Sequence, residues 1–285
     1  MAFENSEPIR HISDTALWAA IYRADETDRA DALFRDPYAR RLAGARGQSI
    51  AEGVPRKHRH AWAWVVRTVL VDRIITAQIQ DGVDTVINLA AGLDARPYRM
   101  TLPSTLTWIE VDLPALVAAK EAALQGERPH CALERVPLDL ADVEARRALF
   151  DRIGRDARRA LVITEGLLIY LSPEEVRTFA GDLARPASFE RWVLDLASPG
   201  LLKLMQKQIG GPLDRAGAPL KFAPAEGPEF FQQSGWTPLD VRSQFTEASK
   251  LRRLPFPLSL FALLPQPDRP RGNQPWSGIC LMART

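Results

Sequence analysis

Between Thr85 and Ala197 short apolar, β-branched runs alternate with helical stretches, and this alternation restricts the fold more than any other feature of the chain. The run Thr85 to Leu89 ends in the small residues Ala90, Ala91 and Gly92, the pattern of a buried parallel strand that turns sharply. LTWIEVD (106–112), ERVPLDL (134–140), the apolar start of ALVITEGLLIYLS (160–172) and RWVLDLA (191–197) read as four further strands. Helical stretches over 114–124, 143–153 and 172–185 lie between them, the last opened by a Ser-Pro-Glu-Glu cap. Parallel strands need such crossovers, so the expected class is α/β: a mainly parallel, doubly wound sheet with helices on both faces.

The flanks read differently. Apolar residues recur at helical spacing over 16–30 and 37–43, with Asp36 capping Pro37, and a longer helix over 60–80 can bury Trp62, Val65, Val66, Val69, Ile74 and Ile79. Beyond Ala197 come a helical stretch over 201–209 and another over 228–234, the pattern of a lid. Two last strands, LDVRSQF (239–245) and GICLMAR (278–284), flank a proline-rich connection and suit a hairpin that adds an antiparallel edge strand. One domain over 1–285 is expected: a helical N-terminal cap (1–82), a core (83–197), and a lid with the C-terminal strands (198–285).

Composition removes several classes. The 37 Lys and Arg are well mixed with 35 Asp and Glu, which leaves no electrostatic footprint for nucleic acid. The densest basic cluster, Arg56, Lys57, His58, Arg59 and His60, reads as the solvated approach to a helix. No uninterrupted apolar run of about 18 residues exists to span a membrane. The opening MAFENSEPIRHISDTALWAA has acidic and polar residues where a signal peptide needs a basic start and an apolar run, so a cytoplasmic location is expected. Cys131 and Cys280 lack metal-ligand spacing and read as reduced core residues, with no metal site.

An open parallel sheet binds its ligand beyond the carboxyl ends of its strands, where strand order reverses. At the first strand end Ala90, Ala91 and Gly92 let a ligand approach the backbone, and Asp112 ends the second strand twenty positions after Gly92. A carboxylate at that distance can accept hydrogen bonds from both hydroxyls of a ribose. The turn lacks the full G-x-G-x-x-G pattern that seats a pyrophosphate on a helix N-terminus, so adenosine without a pyrophosphate fits better. Asp139, with Leu140, is placed after the third strand for an adenine amino group, and Glu165 after the fourth for an ammonium or a sulfonium. Any one of these acids alone serves equally well as a helix cap; four aligned strand ends favour a site.

Four segments then carry a resemblance: DALFRDPYARRLAG (31–44), NLAAGLDARPYRM (88–100), WIEVDLPALVAAK (108–120) and ITEGLLIYLSPEEV (163–176). In these the chain resembles the bacterial branch of the leucine carboxyl methyltransferase family, S-adenosylmethionine-dependent O-methyltransferases that include enzymes acting on polyketides. The resemblance implies a Rossmann-like class I methyltransferase fold with S-adenosyl-L-methionine as cofactor. It implies that Arg67 pairs with the cofactor's carboxylate, that Ala90 (often glycine in the family) and Gly92 approach its methionine part, and that Asp112 holds the ribose. Asp139 and Leu140 would hold the adenine and Glu165 the region of the amino group.

Tyr22, Arg23 and Glu26 fall in a family-like segment that folds over cofactor and substrate, though Tyr22 suits helical core packing equally well. Asp94, Arg96 and Arg99 belong to the same signature, and their spacing favours a structural ion-pair role for Arg99. Arg23, Arg67 and Arg99 are candidate partners for an anionic acceptor or for the cofactor carboxylate. The expected reaction is methylation of a carboxylate or acidic hydroxyl on a small molecule, a polyketide or another carboxylic acid or phenol. A carboxylate needs no general base, and no His-Asp pair stands out to supply one. Two alternatives stay open: a Rossmann oxidoreductase using a nicotinamide cofactor, and a catalytically silent scaffold that binds the cofactor. Oligomeric state is not readable.

Overall fold

The computed structural model describes residues 13–53, 61–262, 264, 269 and 273–285. The basic cluster Arg56 to His60 and much of the proline-rich connection lie outside the described residues.

Three helices precede the sheet: α1 (Asp14–Thr27), α2 (Ala39–Gly53) and α3 (Ala61–Gln80). Asp36 accepts from the Tyr38 amide at 3.2 Å, so a turn comes before α2, and the helix runs past the expected end at Ala43 through a break at Gly44 (φ 58°, ψ −170°). That backbone geometry is one that glycine adopts without steric cost.

The strands are β1 (Thr85–Leu89), β2 (Thr107–Asp112), β3 (Ala132–Pro137), β4 (Ala160–Thr164), β5 (Phe189–Ala197), β6 (Trp236–Ser243) and β7 (Ser277–Arg284). The short α4 (Arg96–Arg99) follows β1, and α5 (Pro114–Ala123), α6 (Val143–Asp156) and α7 (Pro173–Ala184) follow β2, β3 and β4. The sheet order is β3-β2-β1-β4-β5-β7-β6. The first five strands in sequence pair in parallel, whereas β7 runs antiparallel between β5 and β6. The hairpin therefore forms the sheet edge, and its later strand is the inner one.

β1 and β4 are buried along their whole length. Alternate residues divide between two faces: Ile87 and Leu89 pack with Phe150 of α6 and Phe179 of α7, while Val86 packs with Val66, Leu70 and Ile74 of α3. Trp62 and Ile79, expected on the buried face of α3, are partly buried against that second cluster. β3 starts and ends earlier than expected because among the described strands it pairs with β2 alone, in a register that sets Thr107 opposite Ala132 and Asp112 opposite Pro137. β2 ends at Asp112, whose carbonyl accepts a last bond from the Leu138 amide at 2.9 Å, and the chain then leaves the sheet. Cys131 and Cys280 are buried and unpaired.

After β5 the chain forms α8 (Pro199–Met205), a π-helical turn (Gln206–Gly210) and α9 (Gly211–Arg215), then returns toward the sheet, where the Ile169 carbonyl accepts from the amides of Lys221 (2.7 Å) and Phe222 (3.1 Å). Trp192 of β5 holds the next segment, packing edge-on against Phe231 at 5.0 Å and Trp236 at 5.4 Å while its Nε1 donates to Thr164 Oγ1 at 2.8 Å. Among the described residues no helix is long and apolar enough to cross a membrane.

α7 opens with a complete capping box, in which Ser172 Oγ accepts from the Glu175 amide and Glu175 accepts from the Ser172 amide. Ser172→Ala removes one half of it, and a loss of about 1 kcal/mol is expected from the midpoint of urea unfolding.

Candidate functional site

The chain order reverses between β1 and β4, and the loops leaving these strands border a cavity of about 780 Å³. After β1 the backbone enters the left-handed region twice, at Ala90 (φ 54°) and Gly92 (φ 52°). A Cβ at Gly92 would sit 3.2 Å from Ala16 Cβ on α1, a tight contact added to the strain of the positive φ. Its amide donates to Asp112 Oδ2 at 2.6 Å, and Asp112 Oδ1 accepts from the Leu113 amide at 2.7 Å. Burial pushes the Asp112 carboxyl above the ordinary aspartate range, against the pull of those two amides.

Behind this loop lies a continuous set of buried ion pairs. Arg96 reaches Asp72 at 2.6 Å, Asp94 at 2.6 Å and Glu165 at 2.9 Å. Asn88 of β1 donates to Asp94 at 2.8 Å. Glu165 also accepts from Arg67 Nε at 3.0 Å; burial opposes its ionisation, but Arg96 and Arg67 outweigh burial and hold it below the usual glutamate range. Arg67 Nη1 donates to Asp195 at 3.1 Å, its guanidinium lies 4.4 Å over the Trp64 ring, and Nη2 takes part in neither carboxylate bond.

Asp139 accepts from the Ala141 amide at 2.9 Å in the loop after β3. The Leu140 carbonyl accepts from Arg146 Nη1 at 2.7 Å, and Arg146 is also bound to Asp182 of α7. The loop after β3 is thus tied to α6 and α7.

Of the residues expected at the site, Arg23, Arg67, Ala90, Gly92, Asp112, Asp139, Leu140 and Glu165 all line this one cavity. Tyr22 does not. It is buried between Trp18 and Trp64, with ring centroids 5.9 Å from each, and burial raises its phenol to about 12. On α1 Ala19 and Arg23, one turn apart, face the cavity, whereas Tyr22 lies one turn after Trp18 on the neighbouring face and packs into the core, where the larger Trp18 side chain also borders the cavity. Glu26 is also structural, bound to Arg253 at 2.9 Å and to the Leu33 amide at 2.8 Å. Arg99 is held by Asp72 at 2.7 Å in the ion-pair role its spacing favours. Arg23 keeps a place on the wall while donating to Asp36 at 3.0 Å and to the Leu93 carbonyl at 2.6 Å.

Asp195 and Tyr170 also line the cavity, and sequence reasoning missed both. The available signals were an acid between the apolar residues at the carboxyl end of the fifth strand and a tyrosine after the fourth strand end. Trp18, Trp64, Ile169, Met205 and Ile209 add apolar surface to the cavity lining. Carboxylates outnumber cations among its described lining residues, and no group of three or more His, Cys, Asp or Glu among the described residues is disposed to hold a metal ion.

A model of the family described as leucine carboxyl methyltransferase matches residues 16–183. The chain belongs to the leucine carboxyl methyltransferase family. A Streptomyces coelicolor relative, provisionally named an S-adenosyl-L-methionine-dependent methyltransferase, is 36% identical over 66% of this chain and 70% of its own length. A similarly named Parafrankia protein is 32% identical over 87% of this chain and 84% of its own. The crystal structure of a provisionally assigned methyltransferase from Thermobifida fusca aligns with TM-score 0.57 and 16% identity over 98% of this chain and 96% of that one. A DUF574 family protein from Streptomyces avermitilis aligns with TM-score 0.56 and 12% identity over 94% of this chain and 97% of that one. At these identities the structural likeness is one of fold. The chain is by family a methyltransferase with a Rossmann-like, class I sheet.

Ala90 carries the strain of its left-handed backbone, about 1–2 kcal/mol for a residue with a Cβ. Ala90→Gly relieves this but adds about 0.5–1 kcal/mol of unfolded-state entropy. The variant is expected to be more stable than the parent by about 0.5–1 kcal/mol in urea unfolding, and an Ala90→Val variant markedly less stable.

Proposed function

We propose that this cavity binds S-adenosyl-L-methionine and that the chain methylates an oxygen, a carboxylate or an acidic hydroxyl, of a small-molecule acceptor. One observation carries the reading: the amides of Gly92 and Gly166, the turn glycines after β1 and β4, already donate to the carboxylates of Asp112 and Asp195. A pyrophosphate needs such amides free, whereas a wall rich in carboxylates repels it and suits a nucleoside whose tail bears cationic groups. This favours the methyl donor over a nicotinamide dinucleotide.

The residues fit the proposed ligand. Asp112 would hold the ribose hydroxyls, Asp139 and Leu140 the adenine, and Ala90 and Gly92 would face the methionine part. Glu165 would face the ammonium and Arg67 the carboxylate, for which its Nη2 corner is disposed. Bound there, the cofactor supplies an electrophilic methyl group on a sulfonium. The protein's share is then positioning and exclusion of water. Arg23 borders the cavity where it can orient an acceptor, and the apolar surface from Trp18 to Ile209 suits the hydrocarbon body of a polyketide, carboxylic acid or phenol. Residues 1–82 serve in this reading as a cap and the segment after β5 as a lid, in a cytoplasmic enzyme. An acceptor carboxylate is ionised on arrival and asks no base of the protein.

Calorimetry tests the cofactor. Saturable binding of S-adenosylmethionine and S-adenosylhomocysteine is expected, abolished in Asp112→Ala, with no response to nicotinamide nucleotides; binding of the nucleotides instead would sink the proposal. Release of S-adenosylhomocysteine during a screen of acids and phenols separates an enzyme from a silent scaffold, which binds but never turns over.

The pH dependence has a defined sign. Because the folded-state pKa of Asp112 is raised, acidification protonates it before it would protonate a free aspartate. Glu165, held low by two arginines, stays ionised through that range. Affinity for S-adenosylhomocysteine is therefore expected to begin falling, as pH drops, at values above the ordinary aspartate pKa, and Asp112→Asn to flatten that part of the profile.

A further inference from the structure

Asp195 has no assigned part, yet it touches two groups that border the proposed ligand. It lies near the carboxyl end of β5, faces the cavity, and divides its oxygens: Oδ1 accepts from the Gly166 amide at 2.7 Å and Oδ2 from Arg67 Nη1 at 3.1 Å. The Gly166 turn is left-handed (φ 72°) and pressed close, since a Cβ at that position would stand 3.3 Å from Arg67 Nη1.

Arg67 is consequently gripped on three sides. The Trp64 ring covers the guanidinium at 4.4 Å, Glu165 takes Nε, and Asp195 takes Nη1. Glu165 is shared with Arg96, so its hold on Arg67 alone leaves the guanidinium free to pivot about Nε. The second carboxylate, itself fixed by a backbone amide, sets the rotation of the plane and the direction in which Nη2 points. A long, flexible side chain so restrained loses less conformational freedom when it takes a ligand.

We propose that Asp195 is a positioning residue that aims Arg67 and thereby sets recognition of the ligand's α-carboxylate. This rests on the reading that Arg67 receives the carboxylate of S-adenosylmethionine. Asp195 acts through Arg67, so its influence is confined to ligands that carry the amino-acid tail. A role in folding alone would weaken every ligand of the cavity to the same degree.

The two roles separate with a pair of ligands that share the adenosine moiety: S-adenosylhomocysteine, which has the carboxylate, and 5′-methylthioadenosine, which lacks the amino-acid part. Calorimetric titrations of the parent, Asp195→Asn, Arg67→Gln and the double variant are compared. Asp195→Asn keeps the shape of the side chain and an oxygen acceptor for Gly166, and is expected to weaken S-adenosylhomocysteine about tenfold while methylthioadenosine changes by less than about twofold. The double variant is expected to bind S-adenosylhomocysteine no more weakly than Arg67→Gln alone. Equal weakening of both ligands, unchanged binding of both, or additive losses in the double variant would each overturn the proposal. If the parent protein binds neither ligand, the cofactor reading falls and this proposal with it, a result distinct from selective failure in the variant.

Discussion

A single guanidinium, that of Arg96, joins the parts of the molecule on which the site depends. Only 3% of its side chain is exposed, and it reaches carboxylates from three different segments. An unpaired cation so deeply buried would cost several kcal/mol, so each of these acids is required by the others as much as by any ligand. Asp72 brings in α3 and, through Arg99, the short helix after β1; Asp94 brings in Asn88 on β1 itself; Glu165 brings in the end of β4 and, through Arg67, the wall of the cavity. Hydrophobic burial sets the layers, but it is indifferent to small slips between them. The directional charge network fixes the relative placement of α3, β1 and β4 where the cavity opens.

The same arrangement explains the character of the cavity. Loops after parallel strands commonly leave amide groups pointing into the crevice, where they attract anions. Here carboxylates have taken two of those amides, so the crevice presents acceptors instead of donors. Arg67 contributes positive charge at one defined point against that background, with the Trp64 face limiting how far water can screen it. A zwitterionic tail attached to a nucleoside matches both signs at once.

How far the amino-acid sequence discloses this depends on how local each cause is. β1 and β4 are runs in which every residue is buried, and α7 carries its own capping box, so all three can be read from a few adjacent residues. β3 is an edge strand whose limits are imposed by β2, and its alternating exposure blurs the pattern. The position of β7 inside the hairpin is likewise set by pairing with a distant strand. At the site, Asp112 and Glu165 stand at strand ends where an acid is conspicuous. Asp195 sits two residues before the end of β5, inside RWVLDLA, where alternation alone accounts for it. Tyr22 and Arg23 are neighbours in sequence, yet one turn angle of α1 sends the first to the core and the second to the cavity, a distinction that depends on which face of the helix meets α3.

The inner placement of β7 has a consequence for the order in which the sheet can be completed. Among the described strands β6 hydrogen-bonds to β7 alone, and β7 follows it in the chain after a long connection. While β7 is unmade, β5 is an open sheet edge and β6 has nothing to join, although Trp192 and Trp236 can already meet through their rings. Assembly of this half must then wait on the last pairing to be synthesised, a zip-fastener whose slider is threaded last. Until it closes, the edge of β5 beside the crevice is a row of unpaired backbone groups open to mispairing with another copy.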